Sequence, residues 1–452
     1  MVRYILKKCI ASIVLFFKAF MYVGIFLIFF VLFSIENFQI LTLSRTMGVT
    51  MLTFVVVEAI LTAVYGKYDI GKRKSKPIIY SVFLATLITD VVTYLQLSIM
   101  NTNENNNASF KFEFIGILML VILLQLLWII FSVYFGNYIY FSINEPESCV
   151  VITSDKEHLN QILRVIKKFK KQYRVDYILK ADDKEWQETV LKADAVFLYN
   201  VPIERRTQII ELCYHYHKNV YFNPTMADVV EVNAAHIMLD DLSLIGSELQ
   251  NLSLEQRMVK RALDIVVSLV CIILFSPFML ISAIAIKIND GGSILFKQNR
   301  VTRGGRIFNV YKFRTMREDA DDSKVVDNDD RITKVGYFLR KFRIDELPQF
   351  FNILLGDMSV VGPRPEMVGN VYKYSENLPE FRYRLRVKAG LTGLAQISGK
   401  YNTSPKDKLI LDLMYIENYS FWKDLQLIFQ TLIVLLKSDS TEAFDEKDDN
   451  EK

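Results

Sequence analysis

Two adjacent carboxylates stand out in the pentapeptide Asp345-Glu346-Leu347-Pro348-Gln349. Pro348 favours the first turn of a helix that we predict to run to about Leu355. Asp345 and Glu346 would then lie at the helix N-terminus, where exposed amides and the helix dipole favour negative charge. An ionised carboxylate can act as a nucleophile, and a neighbouring carboxylate suits Mg²⁺. By itself, however, the pentapeptide favours a simpler interpretation, a capping pair at a helix start.

Basic side chains precede this pair in the sequence. Between Gly291 and Arg317 there is no acidic residue and there are seven basic residues: Lys297, Arg300, Arg303, Arg306, Lys312, Arg314 and Arg317. A basic block beside an apolar segment can bind anionic lipid head groups or a phosphorylated substrate. Glycine and phenylalanine residues are interleaved with these cations, which favours a substrate site because adhesion to a charged surface needs no such pattern.

Basic residues also follow the carboxylates. Arg364 lies between Pro363 and Pro365, which restrain its backbone and preset a guanidinium fork for phosphate. Phe381–Lys388 alternates basic and apolar residues with a period of two, which predicts an extended segment with one basic face. The glycine-punctuated stretch Lys388–Gly399 predicts a loop whose backbone can approach a ligand closely.

An uncharged apolar run of 22 residues, Ile265–Ile286, precedes the basic block and contains Ser276-Pro277 at its middle. Its length suits a membrane span, but both of its flanks are basic, whereas Lys and Arg collect on the cytoplasmic side. The proline removes a helix hydrogen bond and favours a kink. We therefore predict a re-entrant helix that turns at Ser276-Pro277 and leaves the bilayer by the face it entered. An ordinary kinked span is the alternative.

The N-terminal third contains apolar segments of near-spanning length. They lie at roughly Cys9–Phe33, Met47–Tyr65, Ile78–Met100 and Phe112–Phe135. The loop Gly66–Pro77 is rich in lysine, whereas the other two loops are poor in basic residues. The positive-inside rule then assigns the N-terminus, this loop and everything after residue 136 to the cytoplasm. Lys18, Glu58 and Asp90 lie within these spans, and one interpretation is that they mark a pathway. For Lys18 and Asp90 the alternative is that helix pairing or snorkelling tolerates them.

Strand and helix patterns alternate from Ser148 to about Asn233, which predicts a parallel α/β sheet. The predicted strands are Cys149–Thr153, Val175–Leu179, Ala195–Tyr199 and Val220–Phe222, and the predicted helices are Glu157–Lys171 and Ile203–His217. A dinucleotide site would need glycines at the first strand–helix turn, and Thr153–Glu157 contains none. A regulatory or assembly role is therefore favoured over cofactor binding for this domain.

Composition narrows the function classes further. The chain has 452 residues, an apolar fraction of 51% and a net charge of +4, which suit a partly membrane-embedded protein of two or three domains. Its four cysteines form no CxxC pair, so a disulfide framework or a zinc site is not expected. No histidine follows His236, so the C-terminal chemistry does not depend on one.

The C-terminal motifs together resemble the bacterial sugar transferase family, the monotopic phosphoglycosyl transferases, over about Arg257 to Lys437. The stretches that carry the resemblance are Lys260–Asp264, Phe296–Arg300, Tyr311–Met316, Arg331–Thr333, Leu339–Lys341, Asp345–Gln349, Gly356–Pro365 and Leu391–Gly399. The chain departs from the family at Gly291-Gly292-Ser293 and at Thr302, where local turn geometry is in doubt. The preceding spans and α/β domain are similar to those of the large members, the undecaprenyl-phosphate glucose and galactose phosphotransferases.

The resemblance implies a mechanism and a set of site residues. Asp345 would attack the β-phosphate of a UDP-sugar, UMP would leave, and undecaprenyl phosphate would then accept the sugar phosphate from the aspartate. Glu346, with Asp345, would hold Mg²⁺. The resemblance also implies substrate and phosphate binding by Lys312, Arg314, Arg364, Arg300, Arg340 and Gln396. UDP-glucose or UDP-galactose is the expected donor, with an N-acetylated sugar as the alternative.

The resulting prediction is a multi-pass protein of the bacterial cytoplasmic membrane with its catalytic domain on the cytoplasmic face. Its predicted parts are a transmembrane domain (1–140), a Rossmann-like α/β domain (147–235), a re-entrant helix (265–286) within an α/β catalytic domain (253–437), and a disordered acidic tail (438–452). Membrane lipids are expected partners, nucleic acid is not, and a homodimer is left open. The alternatives are a nucleotide-sugar dehydratase or epimerase, and a non-enzymatic assembly or regulatory protein of polysaccharide synthesis.

Overall fold

The computed structural model describes residues 9–66, 68–104, 112–232, 234–247, 252–317, 331–399 and 404–436. The chain forms two compact units, Met1–Asn223 and Pro224–Lys452. The acidic tail that we predict to be disordered (438–452) lies outside the described residues.

Long apolar helices make up the first part of the N-terminal unit. They are α1 (Ile10–Ser34), α2 (Arg45–Tyr65), α3 (Ser75–Glu104) and α4 (Ile115–Ile143). Each of these helices is long and apolar enough to cross a membrane. Phe29, Phe30 and Phe33 pack inside the bundle, whereas large side chains such as Leu15 and Met119 are exposed on its outside. The four predicted apolar helices are therefore present, and an apolar outer surface suits lipid.

A parallel sheet follows in the same unit. Its elements are β1 (Glu147–Thr153), α5 (Lys156–Lys167), β2 (Tyr173–Lys180), α6 (Trp186–Lys192), β3 (Ala195–Tyr199), α7 (Ile203–His215) and β4 (Asn219–Phe222). The strand order is β2-β1-β3-β4, and all three pairings are parallel. The four predicted strands and two predicted helices are confirmed, with ends that shift by a few residues. The short helix α6 was not predicted, and it is held by the buried side chains of Trp186 and Val190.

The first strand–helix turn of this sheet is closed by a side chain. Asp155 is the N-cap of α5, and its carboxylate accepts a hydrogen bond of 2.9 Å from the backbone N–H of His158. An N-cap of this kind satisfies an amide that a bound phosphate would otherwise meet at a helix N-terminus.

The C-terminal unit combines a long helix with short strands. In chain order its elements are α8 (Met226–Val232), β5 (Ala235–Leu239), β6 (Leu242–Gly246), α9 (Leu254–Asp290), β7 (Leu295–Val301), β8 (Ile307–Phe313), α10 (Lys334–Lys341), α11 (Gln349–Leu355), β9 (Ser359–Val361), α12 (Val368–Asn377), β10 (Gly390–Thr392), α13 (Leu394–Ser398), α14 (Pro405–Glu417) and α15 (Phe421–Leu436). Strands β7 and β8 form an antiparallel hairpin, and β9 pairs with β10 in parallel. Their shared core includes Ile353, Met358, Phe381 and Leu427.

Helix α9 contains the predicted re-entrant segment and is assigned as helix without interruption through Pro277. Pro277 has no N–H to donate to the carbonyl of Ile273, four residues earlier. The Ser276 hydroxyl donates to that carbonyl at 2.8 Å and so replaces part of the missing bond. The helix is therefore continuous through Ser276-Pro277, and the predicted turn within the bilayer stays a prediction.

Both halves of α9 contact the same folded unit. Before the apolar run, Asp264 accepts hydrogen bonds from the Ser359 hydroxyl (2.9 Å) and the Val360 N–H (2.8 Å). At the end of the run, Ile286 packs against Phe313. The opposite face of the helix stays exposed and apolar, with Ile273 as one example. The helix therefore packs against other elements of the C-terminal unit both before and after Pro277.

The predicted extended segment Phe381–Lys388 is wrong. Residues Pro379–Arg386 form a 3₁₀ helix, in which side chains three apart share a face. Phe381 and Arg384 are both buried as a result, and Arg384 pairs with Asp412 at 2.8 Å. The alternation of basic and apolar residues reflects buried ion pairing rather than one basic face.

Thr302 stands where the family pattern has glycine, and its backbone is extended. Its hydroxyl donates to the carbonyl of Asp357 (3.1 Å) and accepts from the N–H of Ala389 (3.1 Å). This side chain therefore ties the β7–β8 hairpin to two later segments, a role that glycine could not fill.

Candidate active site

The carboxylate pair lies directly before a helix, as the sequence predicts. Asp345 and Glu346 belong to a 3₁₀ turn, Ile344–Glu346, that follows Arg343 in a left-handed conformation (φ 54°). Pro348 is the N-cap of α11, which ends at Leu355. The turn and the cap hold both carboxylates close to the positive end of the helix.

Glu346 is held by two cations from different elements. Lys312 of β8 donates from Nζ to Glu346 Oε1 at 2.7 Å, and Arg364 donates from Nη2 to the same oxygen at 3.1 Å. The Glu346 side chain is only 16% exposed. Burial opposes ionisation of this carboxyl, but Lys312 and Arg364 outweigh it and hold the pKa of Glu346 well below its usual range.

Asp345 has a different electrostatic environment. Burial and the adjacent charge of Glu346 raise its pKa to about 6, while Lys312 and Arg340 oppose the rise. At neutral pH the carboxylate is therefore still mostly ionised, yet it is poorly solvated and basic for an aspartate. These are the properties expected of a nucleophilic carboxylate beside a charge-stabilising partner.

The hairpin strand that carries Lys312 is pinned to α11 by an asparagine that sequence reasoning missed. Asn352 is fully buried; its Oδ1 accepts from the Tyr311 N–H (2.9 Å), and its Nδ2 donates to the Asn309 carbonyl (2.8 Å). The amide thus bonds the edge of β8 as a neighbouring strand would. The sequence did contain a signal for this role, because Asn352 is the lone polar residue in the apolar run Phe350–Leu355.

Two arginines flank the carboxylates. Arg340, near the end of α10, donates from Nε to the Thr315 hydroxyl at 2.8 Å and acts electrostatically on Asp345. Arg300 donates from Nη1 to the Pro365 carbonyl at 3.1 Å, and burial and the charge of Arg364 lower its pKa. Of these two predicted site residues, Arg340 therefore acts on the carboxylate pair, and Arg300 contacts the segment Pro363–Pro365.

Arg384 supports the same segment from behind. Its Nη2 donates to the backbone carbonyl of Arg364 at 2.9 Å while the guanidinium pairs with Asp412. Burial raises the pKa of Asp412 to about 6, although Arg384 opposes the rise. The backbone of Arg364 is thus fixed by its proline neighbours and by this buried arginine.

Arg314 and Gln396 are the two remaining predicted site residues, and the contacts described for them do not include Asp345 or Glu346. Arg314 is buried just after β8, and its backbone N–H bonds the Ile294 carbonyl at 3.0 Å. Gln396 lies in α13; within the described residues its buried side-chain amide has no partner. Their substrate-binding roles stay predictions.

The donor set at the acid pair suits Mg²⁺ by its chemistry. Mg²⁺ takes one or two protein carboxylates and completes its octahedron with water and substrate phosphate. Asp345 and Glu346 supply two adjacent carboxylates, and both cations that bind Glu346 do so at Oε1. The described residues contain no group of three or more His, Cys, Asp and Glu side chains that could cage a metal without substrate.

Comparison with known proteins adds independent information. The model of the bacterial sugar transferase family matches residues 255–438. The chain is 42% identical over 184 residues to the UDP-N-acetylgalactosamine-undecaprenyl-phosphate N-acetylgalactosaminephosphotransferase of Aeromonas hydrophila, covering 39% of this chain and 44% of that protein. The match therefore spans less than half of that relative.

Shorter relatives are covered more fully. Identity is 40% over 203 residues to the UDP-glucose:undecaprenyl-phosphate glucose-1-phosphate transferase of Caulobacter vibrioides, covering 43% of this chain and 75% of the relative. Identity is also 40% over 187 residues to the exopolysaccharide production protein PSS of Rhizobium leguminosarum, covering 39% of this chain and 94% of the relative. The matched region contains every element of the candidate site.

Proposed function

The chain belongs to the bacterial sugar transferase family, and we propose that it transfers a hexose 1-phosphate from a UDP-sugar to undecaprenyl phosphate. The observation that carries the proposal is the geometry of the acid pair: Asp345 and Glu346 share the turn before α11, and Lys312 and Arg364 donate to Glu346 Oε1 at 2.7 Å and 3.1 Å. This is a membrane step in the synthesis of an exopolysaccharide or capsule. The names of the relatives, which include glucose and N-acetylgalactosamine transferases, support the reaction class.

The reaction proceeds in two displacements at one phosphorus. A carboxylate oxygen of Asp345 attacks the β-phosphorus of the donor, the bond to the α-phosphate oxygen breaks, and UMP leaves with that electron pair. A phosphate oxygen of undecaprenyl phosphate then attacks the same phosphorus, and Asp345 departs as a carboxylate. Phosphoryl transfer depends mainly on positioning and charge stabilisation, which Lys312, Arg340 and Arg364 supply around the acid pair.

Mg²⁺ is the proposed cofactor, held by Asp345 and Glu346. When bound, it would neutralise negative charge on the donor diphosphate. Lys312 and Arg364 keep Glu346 in the ionised form that such binding requires. Loss of UMP release in a chelator, and its recovery with added Mg²⁺, is the expected result.

The same folded unit contacts α9 on both sides of Pro277, which supports a re-entrant helix. A straight helix crossing ~30 Å of hydrocarbon would separate Asp264 from Ile286 by the full membrane, yet both contact the catalytic elements. We propose that α9 dips into the cytoplasmic leaflet, that α1–α4 span the membrane, and that Asp345 faces the cytoplasm, where a nucleotide sugar is found.

Cysteine labelling tests this topology. In a cysteine-free background, Lys287→Cys should resist an impermeant thiol reagent in intact cells and react after permeabilisation. Labelling in intact cells would reverse the proposed orientation.

Release of UMP tests the activity. Purified full-length protein is incubated with UDP-glucose or UDP-galactose, undecaprenyl phosphate and Mg²⁺. Asp345→Asn should abolish UMP release, whereas the matched control Asp176→Asn should retain it, because Asp176 pairs with Arg174 outside the matched region 255–438. An acid-labile phosphosugar adduct on Asp345 would identify the covalent step. Equal, slow release by wild type and Asp345→Asn would sink the enzymatic proposal.

The sugar is the remaining choice. We propose UDP-glucose or UDP-galactose, with an N-acetylated donor as the alternative, since one relative is named for N-acetylgalactosamine. A panel of UDP-sugars compared by UMP release separates these donors directly.

A further inference from the structure

A belt of polar side chains lies inside the N-terminal helical bundle. Glu58 of α2 is 7% exposed, Asp90 of α3 is 0% exposed and Gln125 of α4 is 1% exposed. Burial of ionisable groups in an apolar bundle is costly, so such residues are expected to be paired or functional.

Glu58 faces two threonine hydroxyls of α3. The Thr89 hydroxyl lies 2.8 Å from Oε2 and 3.0 Å from the Ala85 carbonyl, and donation of its one hydrogen to the shorter contact satisfies Oε2. The Thr86 hydroxyl donates to Oε1 at 3.4 Å. This arrangement can support a negative charge on Glu58.

Asp90 is only half satisfied. Gln125 Nε2 donates to Asp90 Oδ1 at 3.3 Å and also to the Ile25 carbonyl of α1 at 3.1 Å. Across the part of the chain that is described, Asp90 Oδ2 and Gln125 Oε1 are buried and have no hydrogen-bond partner. Both are acceptors when Asp90 is ionised, so neither can satisfy the other.

One hydrogen resolves this mismatch. We propose that the bundle binds a single proton on Asp90, and that the protonated Oδ2 donates to Gln125 Oε1. The acid and the amide then share two hydrogen bonds, one in each direction, and Gln125 remains bonded to the Ile25 carbonyl. When Asp90 is protonated, Gln125 of α4 therefore links α3, through Asp90, to α1, through the Ile25 carbonyl.

The surrounding groups favour a proton over a metal ion. Glu58 of α2 is the titratable group that acts electrostatically on Asp90. The titratable group of α1 near Glu58 is Tyr22, whose hydroxyl donates to Thr62 Oγ1 at 3.4 Å. α4 presents Gln125. Lys18 of α1 makes no ion pair with either acid among the described contacts. A cage of three or more metal-ligating side chains is likewise absent from the described residues.

The test compares full-length wild type with Asp90→Asn in lipid nanodiscs, with Glu36→Gln as a matched control on an exposed acid outside the bundle interior. Asparagine supplies the same hydrogen to Gln125 without titrating. The infrared carbonyl band of protonated carboxylic acids, compared at about pH 7, should lose in Asp90→Asn a component that wild type and Glu36→Gln retain. The wild-type melting temperature should fall more steeply than that of Asp90→Asn as the pH rises from about 5 to about 9, because only the wild type loses the stabilising proton on Asp90.

Three outcomes would overturn the proposal. The infrared band could be unchanged in Asp90→Asn, which would assign the proton elsewhere. Sodium or potassium could raise the wild-type melting temperature at constant ionic strength and fail to do so in Asp90→Asn, which would identify a metal site. The wild-type melting temperature could instead rise with pH and exceed that of Asp90→Asn at about pH 9, which would show that the charge of Asp90, rather than a proton on it, stabilises the bundle.

Discussion

The ionisation of Asp345 makes the proposed first step strongly dependent on pH. Its pKa is raised from the ordinary aspartate value of 3.8 to about 6. Only the ionised carboxylate can attack phosphorus, so the step should slow as the pH falls through about 6. The ionised fraction drops from ~90% at pH 7 to ~10% at pH 5, which predicts a roughly tenfold lower rate. An unshifted aspartate would remain ~90% ionised at pH 5 and predicts almost no change.

The assay must isolate this step from the acceptor. Undecaprenyl phosphate is a phosphate monoester, and such groups titrate near pH ~6 themselves. A single-turnover measurement of UMP release, with excess enzyme and without acceptor, avoids that titration. It is repeated over a series of Mg²⁺ concentrations, because Mg²⁺ held by Asp345 would lower its pKa and move the acid limb to lower pH. The burst rate should report Asp345 directly if the covalent step occurs.

Charge variants test the direction in which each neighbouring charge shifts the pKa of Asp345. Removal of the neighbouring charge in Glu346→Gln should move the acid limb to lower pH, since Glu346 raises the pKa of Asp345. Lys312→Met should move the limb to higher pH, because Lys312 lowers that pKa. A burst rate that is constant between about pH 5 and about pH 7, or a limb that both variants leave in place, would refute the electrostatic argument.

Two further predictions concern stability, measured by thermal or denaturant unfolding. Lys260→Met should cost ~3–5 kcal/mol, because it leaves the carboxylate of Asp424 (1% exposed) buried without its 2.6 Å partner. The double variant with Asp424→Leu should recover most of that loss, and no recovery would contradict the ion-pair explanation. Gly336→Ala should cost ~1–3 kcal/mol, because its Cβ would lie 1.9 Å from the backbone carbonyl oxygen of Thr315. Gly369→Ala, at a helical glycine with open space around it, should instead be neutral or slightly stabilising, and equal losses in both would show that the contact with Thr315 does not matter.

Local signals explain the elements that could be predicted. Strands such as Ala195–Tyr199 are short apolar runs bounded by polar residues, and a parallel sheet buried on both faces favours that pattern. The position of the acid pair followed from Pro348, because proline favours helix starts and carboxylates favour the positive end of the dipole. Each of these inferences depends on residues only a few positions apart.

Failures arose where distant residues decide the structure. The alternation in Phe381–Lys388 has the period of a strand, but Arg384 is buried because Asp412, 28 residues later, supplies its counter-charge. Period alone could not reveal a partner so far away.

The different pKa values of Asp345 and Glu346 result from how α11 is fixed rather than from the acidic pair itself. α11 begins just after Glu346, and Asn352 of the same helix pins β8, so one short helix sets the 2.7 Å contact between Lys312 and Glu346. The second cation, Arg364, depends on a separate element, because Arg384 holds its backbone. Both cations contact Glu346, so Glu346 stays charged and its charge in turn raises the pKa of Asp345. The same two contacts thus stabilise one carboxylate and make its neighbour more basic, which is the division between a charge-stabilising residue and a nucleophile that the proposed reaction needs.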